Sequence, residues 1–140
     1  MATKYLGLDL GMKTLGIAYS DALGFVHGLE TLRFDKNQYV VARKHVLKLV
    51  EKMGIKNIVL GLPLHMSGKK SDMSDICLRF KDDLLKDNPT LIIEMMDERL
   101  SSVTAHKSVS ARGMSPQQRK DNVDRIAACI ILDTYLRMKG

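Results

Sequence analysis

The hydrophobic pattern of this chain first changes period after about Phe34, and that change governs what it can fold into. Before it, apolar residues come in short strand-like runs joined by tight turns: Tyr5-Leu6-Gly7-Leu8-Asp9-Leu10, a Gly11-Met12-Lys13-Thr14 turn, Leu15-Gly16-Ile17-Ala18-Tyr19-Ser20, and a run from Phe25 to Phe34. From Tyr39 the period is helical, with Tyr39, Ala42, Val46, Leu49, Val50 and Met53 on one face and Gly54 as the stop. The rest alternates. Asn57 to Gly61 reads as a buried strand, followed by a loop with Pro63 and Gly68. A helix capped by Ser71 then carries Met73, Ile76, Cys77, Phe80 and Leu84 and breaks at Asn88-Pro89. Leu91 to Met96 is a further strand, running into Asp97-Glu98-Arg99, and Ser101 or Ser102 caps a short helix through Val109. Ser110 to Lys120 has no hydrophobic period and is expected to be an exposed, mobile loop. The last helix, from about Asn122 to Met138, lines up Val123, Ile126, Ala127, Ile130, Ile131 and Thr134.

Tight turns make the first three strands antiparallel neighbours, and helical crossovers set the later strands parallel to theirs, so the expected fold is α/β with a mixed sheet. In such a sheet, ligands are handled at the carboxyl ends of the parallel strands. Gly7 and Gly16 interrupt the first two runs, as a bulge or a close backbone does. The 140 residues fit one domain over 1–140, given roughly 150 residues per domain. No apolar run nears the roughly 18 residues that span a bilayer, and no signal-peptide pattern opens the chain, so a cytoplasmic protein with no membrane partner is expected. Cys77 and Cys129 read as reduced, buried thiols.

Three groups of acids fall at element ends. Asp9 interrupts the apolar Leu8-Asp9-Leu10, where a charge is costly unless it is paired, metal-bound or at the exposed sheet end; the plainer alternative is a solvent-facing residue accepting hydrogen bonds from the amides of Gly11 and Met12. Asp97 and Glu98 arrive at the carboxyl end of the last strand. Asp121 and Asp124 share a face at the start of the last helix, near its positive dipole end, and capping accounts equally well for Asp121. Converging carboxylates suit hard cations such as Mg²⁺ or Mn²⁺, and two ions roughly 4 Å apart can activate a water and stabilise the leaving oxygen of a phosphodiester.

Lys13, Lys69, Lys70, Arg99, Arg112, Arg119, Lys120 and Arg125 belong to the segments flanking these acids, and His65 shares the loop of Lys69 and Lys70. With 22 Lys and Arg against 16 Asp and Glu, the net charge of +6 favours a polyanionic partner. His45 is expected to be solvated on its helix. No phosphate-loop Gly-x-x-x-x-Gly-Lys-Ser/Thr, no Gly-x-Ser-x-Gly elbow and no paired zinc-ligand histidine spacing is present.

Four motifs in order, Gly7-Leu8-Asp9-Leu10-Gly11-Met12-Lys13-Thr14-Leu15-Gly16, Leu60-Gly61-Leu62-Pro63 with Gly68, Asp97-Glu98-Arg99-Leu100-Ser101-Ser102, and Arg119-Lys120 before Asp124 and Ala127-Ala128, resemble the YqgF/RuvX family of bacterial nucleases across nearly the whole chain. The resemblance implies a ribonuclease H-like fold, with a mixed five-stranded sheet and helices on both faces. It implies divalent-metal phosphodiester hydrolysis, in maturing the 5′ end of 16S ribosomal RNA or, alternatively, in resolving Holliday junctions in branched DNA. Asp9, Glu98 and Asp124 are the metal-binding catalytic acids it implies, with Asp97 in reserve for Glu98 and Asp121 for Asp124. Thr14, His65 and Lys69-Lys70-Ser71-Asp72 depart from the usual family pattern and bear on loop contacts with substrate. Two other readings compete: a nucleic-acid-binding or ribosome-assembly factor without turnover, and a phosphate-binding ATPase fragment, which a single domain of this length does not fit. Monomer and homodimer both remain open, since junction resolution needs two sites on a two-fold axis and trimming one RNA end needs one.

Overall fold

A computed structural model describes residues 2–110 and 116–140, with side chains for 2–107 and 122–140. Strand β1 (Tyr5–Leu10) turns back into β2 (Thr14–Ser20), pairing antiparallel from Leu6 opposite Tyr19 to Leu10 opposite Leu15. The Gly11 amide closes that turn by donating to the Thr14 carbonyl at 2.7 Å. β3 (Val26–Arg33) pairs antiparallel with β2, with a register shift at Ile17/Ala18. Phe25, expected inside this strand, instead belongs to the preceding turn and is exposed. The Asp21 carboxylate accepts from the amides of Leu23 and Phe25 at 2.9 and 3.0 Å and holds the chain there.

Helix α1 (Tyr39–Met53) ends on Gly54, whose φ of 65° lets its amide donate to the Val50 carbonyl. The parallel half of the sheet follows. β4 (Asn57–Leu62) pairs with β1, α2 (Asp72–Asp87) begins at a reciprocal Ser71/Ser74 capping box, and β5 (Ile92–Asp97) pairs with β4. A single 3₁₀ turn (Glu98–Leu100), α3 (Val103–Ser110) and α4 (Pro116–Lys139) complete the described chain. The sheet order is β3-β2-β1-β4-β5, mixed as expected.

Side-chain alternation divides the core into two layers. Leu6, Leu8 and Leu10 of β1, with Ile58 and Leu60 of β4, pack under α1 and α2 against Val46, Cys77, Phe80 and Leu84. On the other face Tyr5, Ala18, Val59 and Met96 meet Val103 of α3 and Ala127, Ala128, Ile131 and Leu132 of α4. Asp9, between Leu8 and Leu10, therefore points to the α3/α4 face.

Several local expectations change. Ser110 closes α3 and Pro116–Lys120 is the first part of α4, so of the expected loop only 111–115 remain, and these lie outside the described residues. Proline suits a first helical turn, where an amide would lack a partner, and the polar stretch after it carried no apolar period to reveal the helix. The buried stripe of α4 is Val123, Ala127, Ala128, Ile131 and Leu132, while Ile126 is 39% exposed. The stripe is set by Ala127 and Ala128, whose small side chains allow a close approach to the sheet. His45 is half-buried and bonded to Glu30 of β3, not solvated, because α1 packs over that strand. Cys77 is a buried free thiol as expected, whereas Cys129 is only half-buried. Among the described residues no helix is long and apolar enough to cross a membrane.

Candidate active site

Both buried acidic side chains among the described residues stand at the carboxyl ends of parallel strands, where the topology predicts chemistry. Asp9, next to last in β1, is 3% exposed, and Glu98, directly after β5, is 7% exposed. Alternation explains why Glu98 and not Asp97 turns inward: Met96 already packs on the α4 face, Asp97 points away from it, and the 3₁₀ turn brings Glu98 back. Gly61 on β4 leaves the space Glu98 fills, since a Cβ there would meet Glu98 Oε2 at 3.0 Å and Ile131 Cδ1 at 2.7 Å.

Asp97 is engaged elsewhere. Its Oδ1 accepts from the Arg99 amide at 2.9 Å, and its carboxylate takes Arg99 Nε at 3.1 Å and Nη2 at 2.7 Å. That side-chain pairing holds the Asp97 carboxyl below its ordinary range. The amides of Gly11 and Met12 are not the partners of Asp9, as the plainer alternative would have had it. Its partner is Lys107 of α3, whose Nζ lies 3.2 Å from Oδ1 and 3.0 Å from Oδ2, and 3.9 Å from Glu98 Oε1.

The electrostatics follow from this burial. Desolvation, and next the charge of Asp9, push the Glu98 carboxyl up to about 7, against a partial pull downward from Lys107. Burial alone would weaken the Lys107 ammonium. Asp9 and Glu98, with a contribution from Asp124, outweigh it and raise its pKa. Asp124 thus shares the field of the cluster from α4, positioned by the passage of its own backbone over Gly16 of β2. The Cys77 thiol, beneath the same carboxylates, is pushed up to about 12, first by burial and then by Glu98, and stays protonated.

A carboxyl that titrates near 4.5 when unfolded and about 7 when folded holds its proton more tightly in the folded chain. Its contribution to stability is complete below pH 4.5 and is lost as the pH rises through about 7. Without divalent ions, the melting temperature is expected to carry a falling component across this window, and Glu98→Gln to remove it. Thermal unfolding of both proteins over a pH series checks this; equal slopes would contradict it.

The donor set fits a hard divalent cation: carboxylate oxygens from three elements, two of the acids already arranged around one positive charge. Among the described residues, no three side chains are close enough as they stand to hold one ion. Around the acids, Lys13 is exposed in the β1–β2 turn, and His65, Lys69 and Lys70 are exposed in the β4–α2 loop. A cleft of about 610 Å³ opens between these segments, lined by Met12, Pro63, His65, Lys70, Ser71, Asp72 and Met73, and by none of Asp9, Glu98 and Asp124. Arg99 adds a bond to the Met66 carbonyl at 3.4 Å and so braces that loop from the 3₁₀ turn after β5. Arg125 packs over Gly28 of β3 and bonds to Asn122, two strands from Asp9. Arg112 lies outside the described residues, and Asp121, Arg119 and Lys120 are described only as part of the α4 backbone.

Lys107 was absent from the sequence-level candidates. The available signal was its spacing: it follows the buried Val103 by four residues, which puts a lysine on the inward face of a short helix.

A mixed five-stranded sheet with two buried acids at the carboxyl ends of parallel strands is the ribonuclease H-like arrangement that the sequence resemblance implied. The Thermus thermophilus RuvC in complex with Holliday junction substrate shares the fold over 98% of this chain and 96% of its own, with a TM-score of 0.59 at 10% identity. The yeast mitochondrial Holliday junction resolvase Ydc2 shares it over 96% of this chain and 78% of its own, with a TM-score of 0.51 at 13% identity. The family model "RuvX: Holliday junction resolvase" matches residues 3–138. The Staphylococcus saprophyticus protein named "Putative pre-16S rRNA nuclease" is 37% identical over 134 residues, covering 95% of this chain and 94% of that one, and its Staphylococcus aureus counterpart shows the same identity and coverage. The chain belongs to the RuvX family.

Proposed function

We propose that this protein is a divalent-metal-dependent nuclease that matures the 5′ end of pre-16S ribosomal RNA in the cytoplasm. The observation that carries the reading is the pair Asp9 and Glu98, both buried at strand ends and both facing one positive charge. Buried acids so close together are expensive for a fold to keep unless the site uses them. The substrate in this reading comes from the staphylococcal relatives, which are named as pre-16S ribosomal RNA nucleases.

Asp9, Glu98 and Asp124 would hold Mg²⁺ or Mn²⁺, two ions in the full site, with Asp97 withheld by Arg99. When bound, the metal activates a water and offsets charge on the leaving oxygen of the phosphodiester. The chain's own groups do the rest. Glu98 must be ionised to contribute both oxygens, so its high pKa favours neutral to alkaline conditions. His65 and Lys70 line the cleft, Lys13 and Lys69 are exposed in the same two segments, and together they take the phosphate backbone, fixing the register of the strand without reading sequence.

The test is to present precursor 16S ribosomal RNA and a four-way DNA junction side by side, with Mg²⁺ or Mn²⁺. Cleavage of the RNA near its 5′ end is expected. Cleavage of the junction alone would replace this reading with junction resolution. Salt-sensitive RNA binding with no cleavage of either would make the protein a non-catalytic assembly factor.

A further inference from the structure

We infer that Lys107 is a built-in counter-ion of the carboxylate cluster, which a divalent cation must displace in order to bind. The inference rests on the metal-dependent reading above. Lys107 Nζ takes both oxygens of Asp9, at 3.2 and 3.0 Å, and reaches Glu98 at 3.9 Å. These are the oxygens a cation at this site would need. The two carboxylate side chains are only 4% and 9% exposed, so water screens little of their mutual repulsion, and the ammonium offsets it in the metal-free protein.

Three features make Lys107 a displaceable partner. Its charge is a compact ammonium on a flexible four-carbon stem, not a planar fork locked to both acids. Its side chain is 39% exposed, so the stem borders the solvent into which the ammonium can swing. It stands on α3, an eight-residue helix, so the stem can turn away without disturbing the sheet that carries Asp9. A dication then gains more from the same carboxylates than a single ammonium does. The lysine has two consequences: metal-free stability is higher because it is there, and apparent metal affinity is lower because its contact must break first.

The test combines Mn²⁺ titration by calorimetry with thermal unfolding, for wild type, Lys107→Gln, Lys107→Arg and Asp9→Asn. Lys107→Gln is expected to bind Mn²⁺ about tenfold more tightly than wild type, the fraction of affinity the resident charge withholds. It should melt lower than wild type without metal and recover with it, while Lys107→Arg, whose planar fork can hold both acids, should bind Mn²⁺ more weakly than wild type. A merely structural lysine would lower the melting temperature without tightening metal binding. Equal or weaker binding by Lys107→Gln, with Asp9→Asn failing to bind, would overturn the counter-ion role and leave the metal site intact. No binding by wild type or Lys107→Gln at millimolar Mn²⁺ would overturn both. Should Lys107→Gln not fold, wild type supplies the measurement: acetylation of Lys107, followed by mass spectrometry, is expected to rise several-fold on adding Mg²⁺. An unchanged or slower rate would refute displacement.

Discussion

Replacing Asp9 with Asn is expected to abolish metal-dependent cleavage, by a factor of about a thousand or more, while leaving the fold intact. The size follows from what the carboxylate does. Metal stabilisation of a phosphodiester transition state is worth several kcal/mol, and each ~1.4 kcal/mol is a factor of ten in rate. The amide has the shape of the carboxylate and keeps one oxygen, so packing around β1 changes little, and the loss of one buried charge partly compensates for the lost contact to Lys107. Glu98→Gln should behave alike. Asp97→Asn should retain most activity, because that carboxylate is spent on Arg99. Single-turnover cleavage of precursor ribosomal RNA by the three variants, each checked by circular dichroism, decides the matter. Strong loss in Asp97→Asn with activity retained in Glu98→Gln would reverse the assignment of the two adjacent acids.

The contrast between those two acids shows how far the sequence alone could be read. Period and turn signals placed the five strands and the first three helices within a few residues, because each of these elements buries an apolar stripe with its own period. They brought Asp97 and Glu98 to the right sheet end but could not choose between them, since Glu98 lies past the end of β5 and its direction depends on a 3₁₀ turn that carries the strand's alternation on. The first turn of α4 was missed for a related reason: Pro116–Lys120 contains no apolar residue to register a helical period. Lys107 was missed because its partners are 98 residues away in β1 and nine away after β5, and nothing local marks a long-range ion pair. The glycines were only half legible. Gly7 and Gly16 could mark a bulge or a close backbone, and they mark the second: a Cβ on Gly7 would meet Leu132 Cβ at 2.7 Å and the Ala128 carbonyl oxygen at 3.0 Å. The register shift that does occur lies at Ile17/Ala18, opposite β3.

Gly16 joins fold and site most tightly. A Cβ built there would lie 2.0 Å from the Asp124 carbonyl oxygen and 2.4 Å from its carbonyl carbon, inside the backbone of α4 itself. No rotamer can relieve such a clash; the helix must retreat from the sheet, taking Asp124 away from Asp9. Gly16→Ala is therefore expected to cost about 3 kcal/mol or more, at the upper end of overpacking, and to lower the melting temperature by roughly 10 °C. It should also weaken Mn²⁺ binding, because the retreat acts on one of the three acids proposed to hold the metal. Gly54→Ala supplies the control. Its added Cβ meets nothing within 4 Å, and its cost comes only from the φ of 65° at the end of α1, far from the acids in the fold. That variant should lose about 1 kcal/mol and bind Mn²⁺ as wild type does. If Gly16→Ala melts and binds Mn²⁺ like wild type, α4 can move off the sheet without consequence, and the bare glycine surface is not what positions Asp124. If it melts low but binds normally, the close approach serves stability alone.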